Sequence, residues 1–115
     1  MTKRDVYPPY ASGTFPLAIG RLHYAIGVSP ALKHMEQPAQ RGRNPSWYDI
    51  IALAPPIMKM VNALVGVDRV ATGNDFPQLM EFKRPVDFID YVAGLTRRER
   101  EMILIDNPAR LLKIA

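Results

Sequence analysis

The sequence predicts a parallel α/β fold, mostly helical with one or two short parallel strands. Two stretches carry that expectation. In the first, Ile57, Met60, Val61 and Leu64 recur at i, i+3, i+4 and i+7, which gives a helix one apolar face. Gly66 is the natural stop, and Val67-Asp68-Arg69 makes a tight connection. The short β-prone run Val70-Ala71-Thr72 follows, bounded by Gly73. Helix, tight turn, short strand and polar loop is the rhythm of a parallel α/β fold. In the second stretch, Thr96-Arg97-Arg98-Glu99 is a capping box that opens a further helix.

The remaining elements follow in order. Residues 1–20 are rich in Pro, Tyr and Gly without a sustained period and read as an arm or loop. Leu22 to Ser29 is a short apolar run ended by Pro30, and a strand is expected there, although such a run also suits a helix. Residues 33–45 are polar with Pro, Gly and Asn, so a loop is expected. Ser46 and Asp49 have capping-box spacing, which predicts a helical turn or two from Trp47 to Leu53. Pro55-Pro56 breaks that helix, and the next begins with Pro56 near its first position. After a polar stretch to Arg84, Pro85 opens a helix with Val86, Ile89 and Val92 on one side and Gly94 near its end. The helix from Thr96 carries Met102, Ile103 and Ile105. Asn107-Pro108 reads as a restart, Asn as N-cap and Pro as first residue, with Leu111, Leu112 and Ile114 closing the chain. The organisation is thus an irregular N-terminal arm over 1–45, with a strand at 22–29, and an αβα segment over 46–115.

Composition bounds the function. The 115 residues are 48% hydrophobic and 23% charged, an ordinary globular balance that argues against wholesale disorder. The absence of cysteine excludes a disulfide framework, a cysteine nucleophile and thiolate metal sites, and it fits a reducing, cytoplasmic compartment. The net charge of +4 comes from basic residues scattered along the chain, which fits solvated helix faces better than a nucleic-acid interface. No uncharged run reaches the roughly 18 apolar residues of a membrane span. No Gly-x-Ser-x-Gly elbow or Gly-rich phosphate loop is present. Met58, Met60, Phe88 and Tyr91 read as core, and packing is the expected job of Trp47 and Tyr48.

Three blocks resemble the C-terminal end of the amidohydrolase-related metal-dependent hydrolases, in the branch of aminocarboxymuconate-semialdehyde decarboxylase. The first is VNALVGVDRVATGNDFP, residues 61–77, similar to the family's helix, Asp-Arg turn, strand and Gly-Ser/Thr-Asp-Tyr/Trp-Pro. Gly66, Asp68, Arg69, Gly73, Asp75 and Pro77 fall on that pattern, while Asn74 and Phe76 depart from it. The second is LTRREREMIL, residues 95–104, and the third is DNPARLLKI, residues 106–114, where Pro108 replaces the usual Ala. The resemblance covers about half of the chain. It implies that the α/β pattern is the C-terminal fragment of a TIM (β/α)8 barrel. A whole barrel needs roughly 200 residues or more, so this one is truncated.

The resemblance also implies a site. Asp75 corresponds to the carboxylate at the end of the last barrel strand, as metal ligand and proton acceptor near a divalent cation, zinc or manganese. From spacing alone, the favoured reading of Asp75 is a turn or helix cap, and only the resemblance points to the metal site. A catalytic zinc takes about three protein ligands, and the family draws most from a His-x-His strand and the middle strands. Here only His23 and His34 are present, eleven residues apart, and both read as satisfied or solvated histidines. The expectation is a chain that binds catalytic metal weakly or not at all, inactive alone, completed by a missing N-terminal part that brings a small-molecule substrate. Partial barrels expose strand edges and apolar helix faces, so self-association or a partner fragment is expected. The rival readings are a non-catalytic protein-interaction module and a small basic nucleic-acid-binding domain.

Overall fold

A computed structural model describes residues 6–35, 46–52, 54–77, 84–92 and 94–114. At its centre β1 (Tyr48–Asp49) pairs in parallel with β2 (Val70–Ala71), Tyr48 opposite Val70 and Asp49 opposite Ala71. Val6 continues the arrangement as a parallel bridge to Ser46, and the Trp47 N–H donates to the Val6 carbonyl at 2.6 Å. All three segments run the same way. Both strands are fully buried, so their residues are not alternately apolar and polar.

β1 corrects the helical turn expected from Trp47. Ser46 and Asp49 have the spacing of a cap, but the Asp49 carboxylate accepts hydrogen bonds from Tyr10, Ala11 and Ile51 instead. The aromatic and β-branched residues from Trp47 to Ile51 fit a buried strand, and pairing with β2 decides between the two. Leu53, the expected end of that turn, lies outside the described residues, as does most of the expected loop over 33–45.

α1 (Phe15–Val28) is a second correction. The strand expected over 22–29 is the C-terminal half of this helix. Pro16 sits in the first turn, where its missing N–H is harmless. Pro16, Ile19 and Ile26 are buried, at separations of three and seven residues that a helix aligns and a strand does not. The Ser29 N–H closes the last turn on the Ala25 carbonyl at 3.0 Å, and Pro30 follows.

α2 (Pro55–Val65) begins at Pro55 and ends where Gly66 turns to φ +88°. Its buried stripe is Met58, Val61 and Val65, while Ile57 and Leu64 stay exposed. The helix is apolar on more than one side, so the sequence offered two stripes, and the strands took the one through Met58. α3 (Pro85–Tyr91) buries Phe88 and Ile89, with Val92 just beyond it. Val86 and Tyr91 are exposed, against expectation.

α4 (Arg97–Glu101) starts at the capping box. The Glu99 N–H donates to Thr96 Oγ1 at 3.2 Å, and the Glu99 carboxylate accepts the Thr96 N–H at 2.7 Å. The Thr96 N–H and the Thr96 hydroxyl, both donating to it, hold the Glu99 carboxyl below its usual range. The chain continues through a π-helical turn, Met102–Asp106, into α5 (Asn107–Leu112). Asn107 has helical φ −67° and ψ −47°, so the expected restart is absent. Its side chain is committed elsewhere. At 1% exposure, Asn107 Nδ2 donates to the Val67 carbonyl at 2.8 Å and to the Val70 carbonyl at 2.7 Å. Beside it, the Ile103 carbonyl in the π turn accepts the Thr72 N–H at 3.0 Å. Two helical carbonyl and amide groups thus tie the C-terminal helices to β2.

The N-terminal ends of the strands are closed by Trp47. The guanidinium groups of Arg69 and Arg110 stack over its ring at 5.3 and 4.9 Å from the centroid, a contact worth about 0.5–1 kcal/mol each near the surface. Arg110 also donates to the Asp68 carbonyl. Elsewhere Arg84, Arg98 and Arg100 pair with surface carboxylates. No helix among the described residues is long and apolar enough to cross a membrane.

Replacing Asn107 with Ala removes a donor from the buried Val70 carbonyl and from the part-buried Val67 carbonyl, which keeps the Val70 N–H. Chemical denaturation is expected to show a loss of about 2–4 kcal/mol; a loss under about 0.5 kcal/mol contradicts the lock between α5 and β2.

Candidate functional site

The C-terminal ends of parallel strands are where α/β folds place ligands. Four side chains gather there: Tyr7, Tyr10, Asp49 and Asp75. Asp75 follows β2 in a left-handed conformation, φ +59°, which Asp tolerates better than most residues. The turn is capped by Asn74, whose Oδ1 accepts the Phe76 N–H at 3.2 Å. Asn74 therefore does the capping that the sequence allowed for Asp75, and the Asp75 carboxylate points to other work. Its Oδ1 accepts from the Tyr10 hydroxyl at 3.4 Å.

Asp49 lies behind this pair at 1% exposure. Its Oδ1 accepts the Ala11 N–H at 2.7 Å and the Ile51 N–H at 3.0 Å, and its Oδ2 accepts the Tyr10 N–H at 2.9 Å. Burial pushes its carboxyl above the ordinary value; the three backbone donors pull it back, and the nearby charge of Asp75 pushes it up further. Tyr7 donates to the Thr72 carbonyl at 3.2 Å. Burial, and then the Asp49 charge, raise the Tyr7 phenol well above its usual range, so it stays a donor. Gly73 makes room for this bond: a Cβ there would lie 3.2 Å from Ile51 Cδ1 and 3.3 Å from Tyr7 Oη.

The histidines do not join the site. His23 is exposed on α1, and His34 is exposed in the turn after Pro30–Leu32. Among the described residues no three His, Asp or Glu side chains are gathered as a metal set. Asp49 already receives three backbone donors, so Asp75 is the one carboxylate open to a ligand. Among the described residues, that donor set falls short of the roughly three protein ligands of a catalytic zinc.

Of the sequence-predicted site, Asp75 is therefore in the expected place, and His23 and His34 stand apart from it. Tyr7, Tyr10 and Asp49 were not anticipated. The signal for Asp49 was an acid inside the otherwise apolar run Trp47–Ile51. The tyrosines carried none, because the turn that presents Tyr10 has no sequence pattern.

A parallel pair of strands among helices defines an α/β protein. No protein-family model matches the chain. Solved structures do. A protein from Staphylococcus aureus assigned as an amidohydrolase matches 91% of the chain at 24% identity with a TM-score of 0.73. IDCase of Metarhizium anisopliae, in apo form, matches 92% at 18% identity and TM-score 0.68. The 5-carboxyvanillate decarboxylase LigW of Sphingomonas paucimobilis matches 93% at 16% identity and TM-score 0.67. In each case the match covers 33% of the other chain, so this chain spans about a third of their length. The resemblance to amidohydrolase-related enzymes that the motifs carry is thus matched by the fold, over nearly the whole chain rather than half of it.

Two predictions follow from Tyr7 and Gly73. A phenol raised on folding contributes stability that is intact below the unfolded value, near pH 10, and is lost as pH rises beyond it, because the unfolded chain releases its proton first. Urea unfolding from about pH 9 to about pH 11 is expected to show a steeper loss for the wild type than for Tyr7→Phe, and equal slopes contradict the raised phenol. Gly73→Ala crowds Ile51 and Tyr7 and is expected to cost about 1–3 kcal/mol; a stability change near zero in the same assay contradicts the close packing.

Proposed function

We propose that the chain is the C-terminal third of an amidohydrolase-family, metal-dependent hydrolase or decarboxylase acting on a small carboxylate or amide-like substrate. The observation that carries this reading is the position of Asp75: at the C-terminal end of β2, uncommitted to its own turn and within reach of the Tyr10 hydroxyl. A carboxylate so placed accepts a proton from a reacting group beside it. Tyr10 donates toward it and orients one of its oxygens. The likeness to about a third of each matched structure supports a site that is incomplete in this chain alone. The remaining strands, and the histidines that would complete a metal set, belong to a complementing segment.

The test has two arms. Isothermal titration of zinc and of manganese into the 115-residue chain is expected to give no tight site; one tight site per chain overturns the reading of an incomplete centre. Joined to a segment bearing a His-x-His strand and the middle strands, the chain is expected to hydrolyse or decarboxylate a small carboxylate or amide. Asp75→Asn then lowers kcat/KM by about 100-fold or more. An unchanged rate removes Asp75 from the chemistry.

A further inference from the structure

We propose that Asp49 is a positioning residue for this site: it clamps a left-handed turn at Tyr10–Gly13 and thereby delivers the Tyr10 hydroxyl to Asp75. The assignment deepens the functional reading above and rests on Asp75 being the site carboxylate.

The argument begins with the backbone. Tyr10, Ala11 and Ser12 have φ values of +57°, +49° and +65°, and Gly13 follows at +58°. L-residues enter this region singly, not in runs, because Cβ crowds the following carbonyl. A run of three persists only where the surroundings over-determine it. Two surroundings do so here. The successive N–H groups of Tyr10 and Ala11 converge on the two oxygens of Asp49, at 2.9 and 2.7 Å, as a backbone nest around an anion. The Ala11 methyl is buried in the core. The turn's own bonds, Ser12 N–H to the Pro9 carbonyl and Gly13 N–H to the Tyr10 carbonyl, are local and do not choose its place on the sheet.

The consequence is where Tyr10 ends up. Tyr10 is 52% exposed as a residue, so packing does not explain holding it on strained backbone. Its hydroxyl lies 3.4 Å from Asp75 Oδ1, longer than a well-formed O–H···O bond. Contacts of that kind are often long before a ligand is bound and tighten afterwards. Tyr10 thus reaches Asp75 from an exposed position, with its hydroxyl beside the carboxylate.

The test is solution NMR on the full chain, with no ligand needed. In the wild type, the Tyr10 and Ala11 amides are expected to exchange at least tenfold more slowly than in an unstructured peptide, and Tyr10 ring protons are expected to show NOEs to Asp75 or Phe76. In Asp49→Asn, those NOEs are expected to vanish and the two amides to exchange at least tenfold faster than in the wild type, while the Asn107 side-chain amide keeps its NOEs to Val67 and Val70. NOEs between Tyr10 and the Asp75 loop that survive in Asp49→Asn overturn the proposal. So does wild-type exchange at peptide rates, a measurement that stands even if Asp49→Asn does not fold. These readouts can succeed while Asp75→Asn leaves turnover unchanged, so failure of the clamp and failure of the proposed function are told apart.

Discussion

A carboxylate taken out of water must be matched by donors, and Asp49 meets that demand with backbone alone. Three N–H groups reach it, two from the N-terminal segment and one from two residues ahead. Leaving such a group unmatched costs far more than an ordinary hydrogen bond returns, so the N-terminal segment is not free to lie elsewhere. Its capture sets Val6 beside Ser46, lines up three parallel segments and brings the tyrosines to the ends of the strands. The same burial that demands the donors also raises the carboxyl, and Asp75 adds to it. Chain layout and site electrostatics thus share one origin.

The two ends of the strands have different duties. At the entry end, Trp47, Arg69 and Arg110 stack, and Asn107 holds the carbonyls of Val67 and Val70. These contacts bind helices to strands. At the exit end, the capping of the loop falls to Asn74, which leaves Asp75 available. Parallel α/β architecture favours this division, because every strand delivers its last residues to one side.

What could be read from the sequence was whatever local chemistry decides. Thr96 and Glu99 cap as their spacing says, Gly66 stops α2, and the αβ passage from Pro55 to Pro77 lies where periodicity and motif put it. Ser46 and Asp49 misled because capping spacing is a local signal, while the Asp49 partners at Tyr10 and Ala11 are nearly forty residues away along the chain. The run from Leu22 to Ser29 misled because a short apolar run fits either period; α1 is recognised only once Pro16 and Ile19 are seen buried on the same side as Ile26. Asn107 looked like a cap, and tertiary bonds took its side chain instead. The position of Asp75 after β2 was legible through its motif; that of Tyr10 was not, because it depends on a left-handed backbone that no pattern of side chains announces.

The π-helical turn at Met102–Asp106 has a consequence for helical phase. A π turn holds one residue more than an α turn over the same rise, and each residue advances an α-helix by about 100°. The extra residue therefore resets the angular position of everything after it. Without it, the capped face of α4 and the inward face of α5 could not both be correct: with Thr96 and Glu99 fixed at the surface, Asn107 would swing about a quarter turn away from β2. The helix spends one residue as a phase shifter, so that its solvent-facing start and its strand-locking end can lie on a single axis.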